Sequence, residues 1–122
     1  MKNTKMIKKN YEFKKFFSKG KFFYGKSIFM YIHKNSLNIN KLGIAISRKQ
    51  GKAVKRNRVK RLIRENYKVF EPKIGVGNNI LIIINKNRNI EEITYYDIKN
   101  DFFQILKKAE LIENQDKKDK IE

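Results

Sequence analysis

The chain contains no cysteine and no tryptophan, and only one proline and one histidine. Without cysteine there is no disulfide, no thiolate metal site and no thiol nucleophile, a usage that fits a reducing compartment and points to the cytoplasm. A single imidazole, His33, cannot build a two-histidine nuclease or a histidine-rich metal site, and it reads as a surface or half-buried polar residue. Acids are scarce, 12 Asp and Glu against 30 Lys and Arg, for a formal charge of +18. The longest apolar run, residues 80–84, is far short of the roughly 20 residues a membrane span needs. The basic N-terminus is not followed by the apolar stretch of a signal peptide, so no membrane partner is expected.

What the sequence does hold is enough apolar material for a core. Its 122 residues suit one domain, and 40% hydrophobic with 12% aromatic residues is too much for a disordered basic tail. The charge therefore decorates a fold. In a globule with a radius of gyration of roughly 14 Å the cations lie within about one to two Debye lengths of each other, and their repulsion calls for a polyanion.

Residues 1–9 show no apolar period and read as a flexible basic arm, residues 10–109 as one RNA-binding domain, and residues 110–122 as a flexible, acid-enriched tail. Within the domain, Asn10 as N-cap, Phe13, Phe16 and Phe17 at helical spacing and Gly20 predict a short first helix. A linker runs from Gly20 to Lys26. Residues 27–33 alternate Ile28, Met30 and Ile32 with Phe29, Tyr31 and His33, the period of a strand. A turn over 34–41 leads to a second strand over 42–47, where Gly43, Ala45 and Ser47 leave one face open to close approach. Val59, Leu62, Ile63, Tyr67 and Phe70 stripe a longer helix that should stop before Pro72. Gly75 and Gly77 turn the chain into a strand centred on 80–84 and buried on both faces. Thr94 with Asp97 suggests a capping box ahead of a last helix striped by Ile98, Phe102, Ile105, Leu106 and Ala109. The order is αββαβα, an α+β fold with a central sheet packed by helices.

Nine cations fall between residues 48 and 64 with no acid until Glu65: Arg48, Lys49, Lys52, Lys55, Arg56, Arg58, Lys60, Arg61 and Arg64. Arg56, Lys60 and Arg64 share one helical stripe, and like charges at that spacing cost a few tenths of a kcal/mol per pair. A phosphate backbone would relieve the repulsion, whereas a merely solvated face would interleave Glu with Lys. Phe13, Phe17, Phe29 and Tyr31 are either core against the sheet or a platform for unpaired bases, and the periodicity leaves both open. Gly51-Lys52 lacks the rest of a P-loop. Asp97 and Asp101, one helical turn apart, resemble the exposed carboxylate pairs common on helices and receive no catalytic role.

The series Lys49, Gly51 and residues 53–65, with Arg56-Asn57-Arg58 at its heart, resembles the protein subunit of bacterial ribonuclease P. The likeness extends to Phe13-x-x-x-Phe17 with Gly20, to Phe29-Met30-Tyr31, to residues 42–49 and to residues 79–84, and so spans about 7 to 109. It implies a left-handed βαβ crossover through the basic helix, against the general preference. It also implies a non-catalytic protein that assists a catalytic RNA subunit in removing the 5′ leader of precursor tRNA in the cytoplasm, with Mg²⁺ held mainly by RNA. No catalytic or metal residue is then expected in the chain, and no obligate protein partner is evident. By position, Phe13, Phe17, Phe29, Tyr31 and Lys60 would line the leader cleft. Arg48, Lys49, Lys52, Arg56, Asn57, Arg58, Arg61 and Arg64 would form the RNA-binding basic motif. From the residues alone, a structural RNA-binding protein such as a small ribosomal component is the alternative.

Overall fold

The computed structural model of the chain describes residues 1–7 and 20–112. Within them lie five strands and two α-helices: β1 (Thr4–Met6), β2 (Lys21–Tyr24), β3 (Ile28–Lys34), β4 (Asn40–Ala45), α1 (Ala53–Ile74), β5 (Asn78–Ile84) and α2 (Tyr95–Lys108), with a 3₁₀ turn at Arg48–Gln50 before α1. The strands make one mixed sheet in the order β1-β4-β5-β3-β2. β4 and β5 are parallel neighbours joined through α1, β1 runs parallel to β4, and β3 is antiparallel to β5 and to β2. The α+β class holds. The first helix expected from Asn10, with Phe13, Phe16 and Phe17, lies outside the described residues.

Strand alternation sorts the sheet into two faces. Ile28, Met30, Ile32, Leu42, Ile80 and Ile82 point to one side and are buried against Val59, Ile63, Tyr67 and Phe70 of α1 and Ile98, Phe102 and Ile105 of α2. Phe70 and Phe102 stack across the two helices with ring centroids 5.6 Å apart. On the other side Leu81 is fully buried beside Ile7 and packs with Tyr31, Ala45 and Ile83. β5 is thus covered on both faces at its centre, as its aliphatic run predicts. Thr94 and Asp97 form the expected capping box at the start of α2.

The expectation of a flexible basic arm over 1–9 does not hold for the described residues 1–7. Thr4, Lys5 and Met6 pair with Asn40, Lys41 and Leu42, and the Ile7 amide donates to the Leu42 carbonyl at 2.8 Å. Long-range bonds hold this strand against α1: the Lys2 amide donates to Glu71 at 2.9 Å, the Thr4 hydroxyl donates to Glu71, and the Tyr67 phenol lies 2.7 Å from the Thr4 hydroxyl. Three mostly polar residues carry no period of their own, so only the distant partner makes them a strand. The Gly20–Lys26 linker also becomes a strand by pairing, Lys21–Tyr24 lying against Phe29–Ile32 of the next strand as an antiparallel edge strand.

α1 does not stop before Pro72 but runs through it to Ile74. One turn from the helix end the ring forfeits a single backbone bond, and the buried side chains of Phe70 and Ile74 hold the turn in place. Gly75, at φ 72, then ends it. Asn40, expected in a turn, is a fully buried strand residue whose amide donates to the Gly75 carbonyl at 2.7 Å and accepts from the Asn78 amide N–H at 2.9 Å. Ordered structure passes residue 109: the Leu111 amide bonds the Leu106 carbonyl at 2.9 Å, and Leu111 and Ile112 pack on the core.

Candidate nucleic-acid interface

The sheet face turned away from the helices carries a patch of rings. Register places Phe22 opposite Tyr31 and Tyr24 opposite Phe29. Phe22 lies 4.5 Å from Tyr31, 5.6 Å from Phe29 and 4.4 Å from Tyr24 between ring centroids, and Tyr24 lies 5.3 Å from Phe29. These are edge or tilted contacts, which fix the rings against one another while leaving ring faces available. Phe22, Phe29 and Tyr31 are half-buried, and Tyr24 is 70% exposed. Continuing along the register, Gly43, Leu81, Tyr31 and Phe22 form one cross-strand row and Ala45, Ile83, Phe29 and Tyr24 the next. The small residues on β4 keep that end of each row low. Two of the four rings, Phe22 and Tyr24, escaped the sequence reading. Their signal was the Lys21-Phe22-Phe23-Tyr24 run, whose alternation acquires meaning only once β2 pairs with β3.

The basic segment begins where β4 ends. Ser47 caps the 3₁₀ turn by accepting from the Lys49 amide at 3.2 Å, and Gln50 donates from its side chain to the Asn85 carbonyl at 3.2 Å. These bonds tie the turn to the end of β5 and leave Arg48 and Lys49 exposed. α1 starts with no side-chain cap and no acid in its first turn. Its first amides and the positive end of its dipole therefore add to the cations around them, an arrangement that favours a bound anion. Arg56 is half-buried, with its Nε donating to the Gly51 carbonyl at 3.1 Å. Lys52, Asn57, Arg61 and Arg64 are exposed, and Arg58 and Lys60 half-buried. Among the described residues two acids answer this cluster, both weakly: Glu91 at 3.9 Å from Lys55 and Glu65 at 4.0 Å from Arg61, all well exposed.

Because α1 packs on the opposite side of the sheet from the rings, the two groups meet only around the strand ends. There a groove of about 490 Å³ is lined by Phe29, Ala45, Ile83, Ser47, Gln50 and Lys86 among others. Ser47 and Gln50 bracket Arg48 and Lys49, so the aromatic face and the basic segment share a border at the carboxyl ends of the parallel strands β4 and β5, where open sheets commonly take ligands. Lys60 lies two turns before Tyr67 on the same stripe of α1 and is not among the residues that line this groove. Phe13 and Phe17 lie outside the described residues. Asp101, expected to be exposed, is buried: its carboxylate accepts the amides of Lys26 at 3.0 Å, Ser27 at 2.7 Å and Ile28 at 3.0 Å. Its position three residues after Ile98 and four before Ile105 was the available signal. Among the described residues no three His, Asp or Glu side chains gather as metal ligands, and no helix is long and apolar enough to cross a membrane.

Fold and surface together define a small basic α+β protein built to meet a polyanion. The family model described as Ribonuclease P matches residues 1–110. A ribonuclease P protein component of Clostridium botulinum is 40% identical over 110 residues, 89% of this chain and 96% of its own length. That of Natranaerobius thermophilus is 35% identical over 107 residues, 88% and 91% of the two chains. Among solved structures, the Staphylococcus aureus RNase P protein superposes with a TM-score of 0.76 at 33% identity, covering 88% of this chain and 97% of that one. The Thermotoga maritima protein gives 0.75 at 27% identity, with 90% and 99% covered. The chain belongs to the bacterial ribonuclease P protein component family. As such it is the protein subunit of a tRNA-processing holoenzyme and a partner of ribonuclease P RNA.

Proposed function

We propose that this subunit holds the unpaired 5′ leader of precursor tRNA on its aromatic sheet face while the basic segment over residues 48–64 docks on the catalytic RNA. The observation that carries the reading is the shared border: a linked cluster of four rings reaches, through Phe29, a groove whose far wall is the turn bearing Arg48 and Lys49. Unpaired bases stack on such rings at about 1 to 3 kcal/mol each, and the cations neutralise the phosphates that follow. By resemblance, Phe13, Phe17 and Lys60 belong to the leader cleft. Lys52, Arg56, Asn57, Arg58, Arg61 and Arg64 belong with Arg48 and Lys49 to the RNA-binding motif.

Leader contacts exist with substrate and vanish with product. They therefore give precursor an affinity that mature tRNA lacks, which is how a binding subunit supplies discrimination without chemistry. Mg²⁺, which the family implies, does not fit a site on this chain's described residues. It is assigned to the RNA, and no step here runs through it. The cysteine-free composition fits work in a reducing cytoplasm.

The test is cleavage of a 5′-extended precursor tRNA at low Mg²⁺ by the protein alone, by bacterial ribonuclease P RNA alone and by the two together. Efficient release of an intact leader only by the mixture is the expected result. No gain over RNA alone would defeat the reading, as would cleavage by the protein alone.

A further inference from the structure

The aromatic patch does not end on the sheet. Tyr24, in contact with Phe22 and Phe29, also borders a second cleft of about 690 Å³ between the β2–β3 turn and α2. The α2 wall of this cleft is the stripe Asp97, Asp101, Gln104 and Lys108, with Asn100 one turn before Gln104. Both carboxylates are already engaged. Asp101 receives three amides of the turn, and Asp97 receives the Arg88 guanidinium at 3.3 Å and the Thr94 amide at 2.9 Å. What the cleft offers a ligand is therefore cationic and amide in character. The ammonium groups of Lys26 and Lys108 make no ion pair among the described residues, and the Asn100 and Gln104 side chains are exposed.

Ammonium groups suit phosphates, primary amides both donate to and accept from base edges, and an exposed ring stacks a base. The volume is within the range of small-ligand sites. We infer that this cleft is a further nucleotide subsite, occupied by the part of the leader that runs on past Tyr24 and around the β2 edge. The inference rests on the leader reading above. A continuing strand is the occupant because Tyr24 is common to both surfaces: a chain stacked over Phe29 reaches the cleft without leaving the rings.

The experiment measures affinity of the reconstituted holoenzyme, full chain with bacterial ribonuclease P RNA, for precursor tRNAs whose leaders lengthen one nucleotide at a time, with mature tRNA as reference. The wild type should show two rises in affinity, an early one as the leader covers the sheet face and a later one as it enters the cleft. The double variant Asn100→Ala/Gln104→Ala, at exposed positions where folding is not at stake, should keep the first rise and lose the second, by about three- to tenfold. Tyr24→Ala should weaken both, and Tyr24→Phe should restore both. A double variant that matches the wild type at every length, or a wild type with only the early rise, would overturn the subsite and leave the leader reading intact. Absence of any leader dependence would overturn both.

Discussion

Asp101→Asn is a change of one atom at a site where three backbone amides converge. The carboxylate is 5% exposed, with Oδ1 accepting from Lys26 and Oδ2 from Ser27 and Ile28. An asparagine has one oxygen to offer. Placed where Oδ2 stands, it keeps two bonds without their charge assistance and turns an NH₂ group toward the Lys26 amide. Hydrogen bonds to a charged partner contribute about 1.5 to 3 kcal/mol each, and an unmatched buried donor costs about 1 to 3 kcal/mol, so a loss of about 2 to 4 kcal/mol is expected. The turn cannot slide to escape it. A Cβ on Gly25 would lie 2.5 Å from the Ile28 carbonyl oxygen and 2.7 Å from the Asp101 carboxyl carbon, so backbone and carboxylate are already at closest approach. Urea and thermal unfolding followed by circular dichroism would read the loss, as a fall in Tm of roughly 10 °C for a domain of this size. Asp101→Ala, which leaves all three amides without an acceptor, should cost more, about 3 to 5 kcal/mol. A loss below about 1 kcal/mol for asparagine, or an alanine variant more stable than the asparagine one, would refute the reasoning. Since the anchored turn positions the edge strand that carries Phe22 and Tyr24, leader affinity should fall in the same variants at temperatures where they remain folded.

Phe29→Ala should weaken precursor binding by about 1 to 3 kcal/mol while leaving mature tRNA nearly unaffected, as direct binding of the two RNAs to the holoenzyme would reveal. Equal losses for both would remove Phe29 from the leader path. Arg64→Ala should weaken assembly with the RNA subunit and flatten the log–log salt dependence by about one unit, whereas an unchanged slope would mean that Arg64 meets no phosphate. Burial pushes the Tyr67 phenol up to about 12 from 10.0, with the Thr4 hydrogen bond opposing the shift and the Glu71 charge adding to it. A folded-state pKa above the unfolded one means that this contribution is complete below pH 10 and is lost as pH rises toward 12. The stability difference between the wild type and Tyr67→Phe should therefore shrink across that window in denaturant titrations, and a difference independent of pH would contradict it.

The parts of this fold that were legible in the sequence are those whose signal is local. α1 announces itself through Val59, Ile63, Tyr67 and Phe70 at helical spacing, β5 through an unbroken aliphatic run, and α2 through Thr94, Asp97 and the stripe that follows. β1 and β2 were not legible because neither has a period long enough to register. Each is a strand because a partner offers it a ladder, Asn40–Leu42 far along the chain in one case and Phe29–Ile32 of the next strand in the other. The same dependence on pairing hid half of the candidate site. Phe29 and Tyr31 stand out within a long alternating strand, but Phe22 and Tyr24 join them only through the register of a pairing that composition does not encode. Asp101 was misread for a different reason: a carboxylate on the apolar stripe of a helix looks like a surface residue until the amides it serves arrive from another part of the chain.

β3 sets the rings of Phe29 and Tyr31 opposite its aliphatic face, with His33 after them, and this alternation bears on function. The sheet packs both described helices on one face, where Ile28, Met30 and Ile32 are buried. Solubility alone would put polar residues at the positions between them, as half-solvated antiparallel strands commonly do. Phe29 and Tyr31 occupy those positions instead, and β2 sets Phe22 and Tyr24 opposite them. Rings left partly in water forgo hydrophobic stabilisation at about 25 cal/mol per Å² of apolar surface. The uncapped, acid-free start of α1 likewise forgoes a cap worth about 1 kcal/mol. Both deficits fall on surfaces that meet at the carboxyl ends of β4 and β5, and one ligand offsets both: a strand whose bases cover rings while its phosphates satisfy cations and free amides.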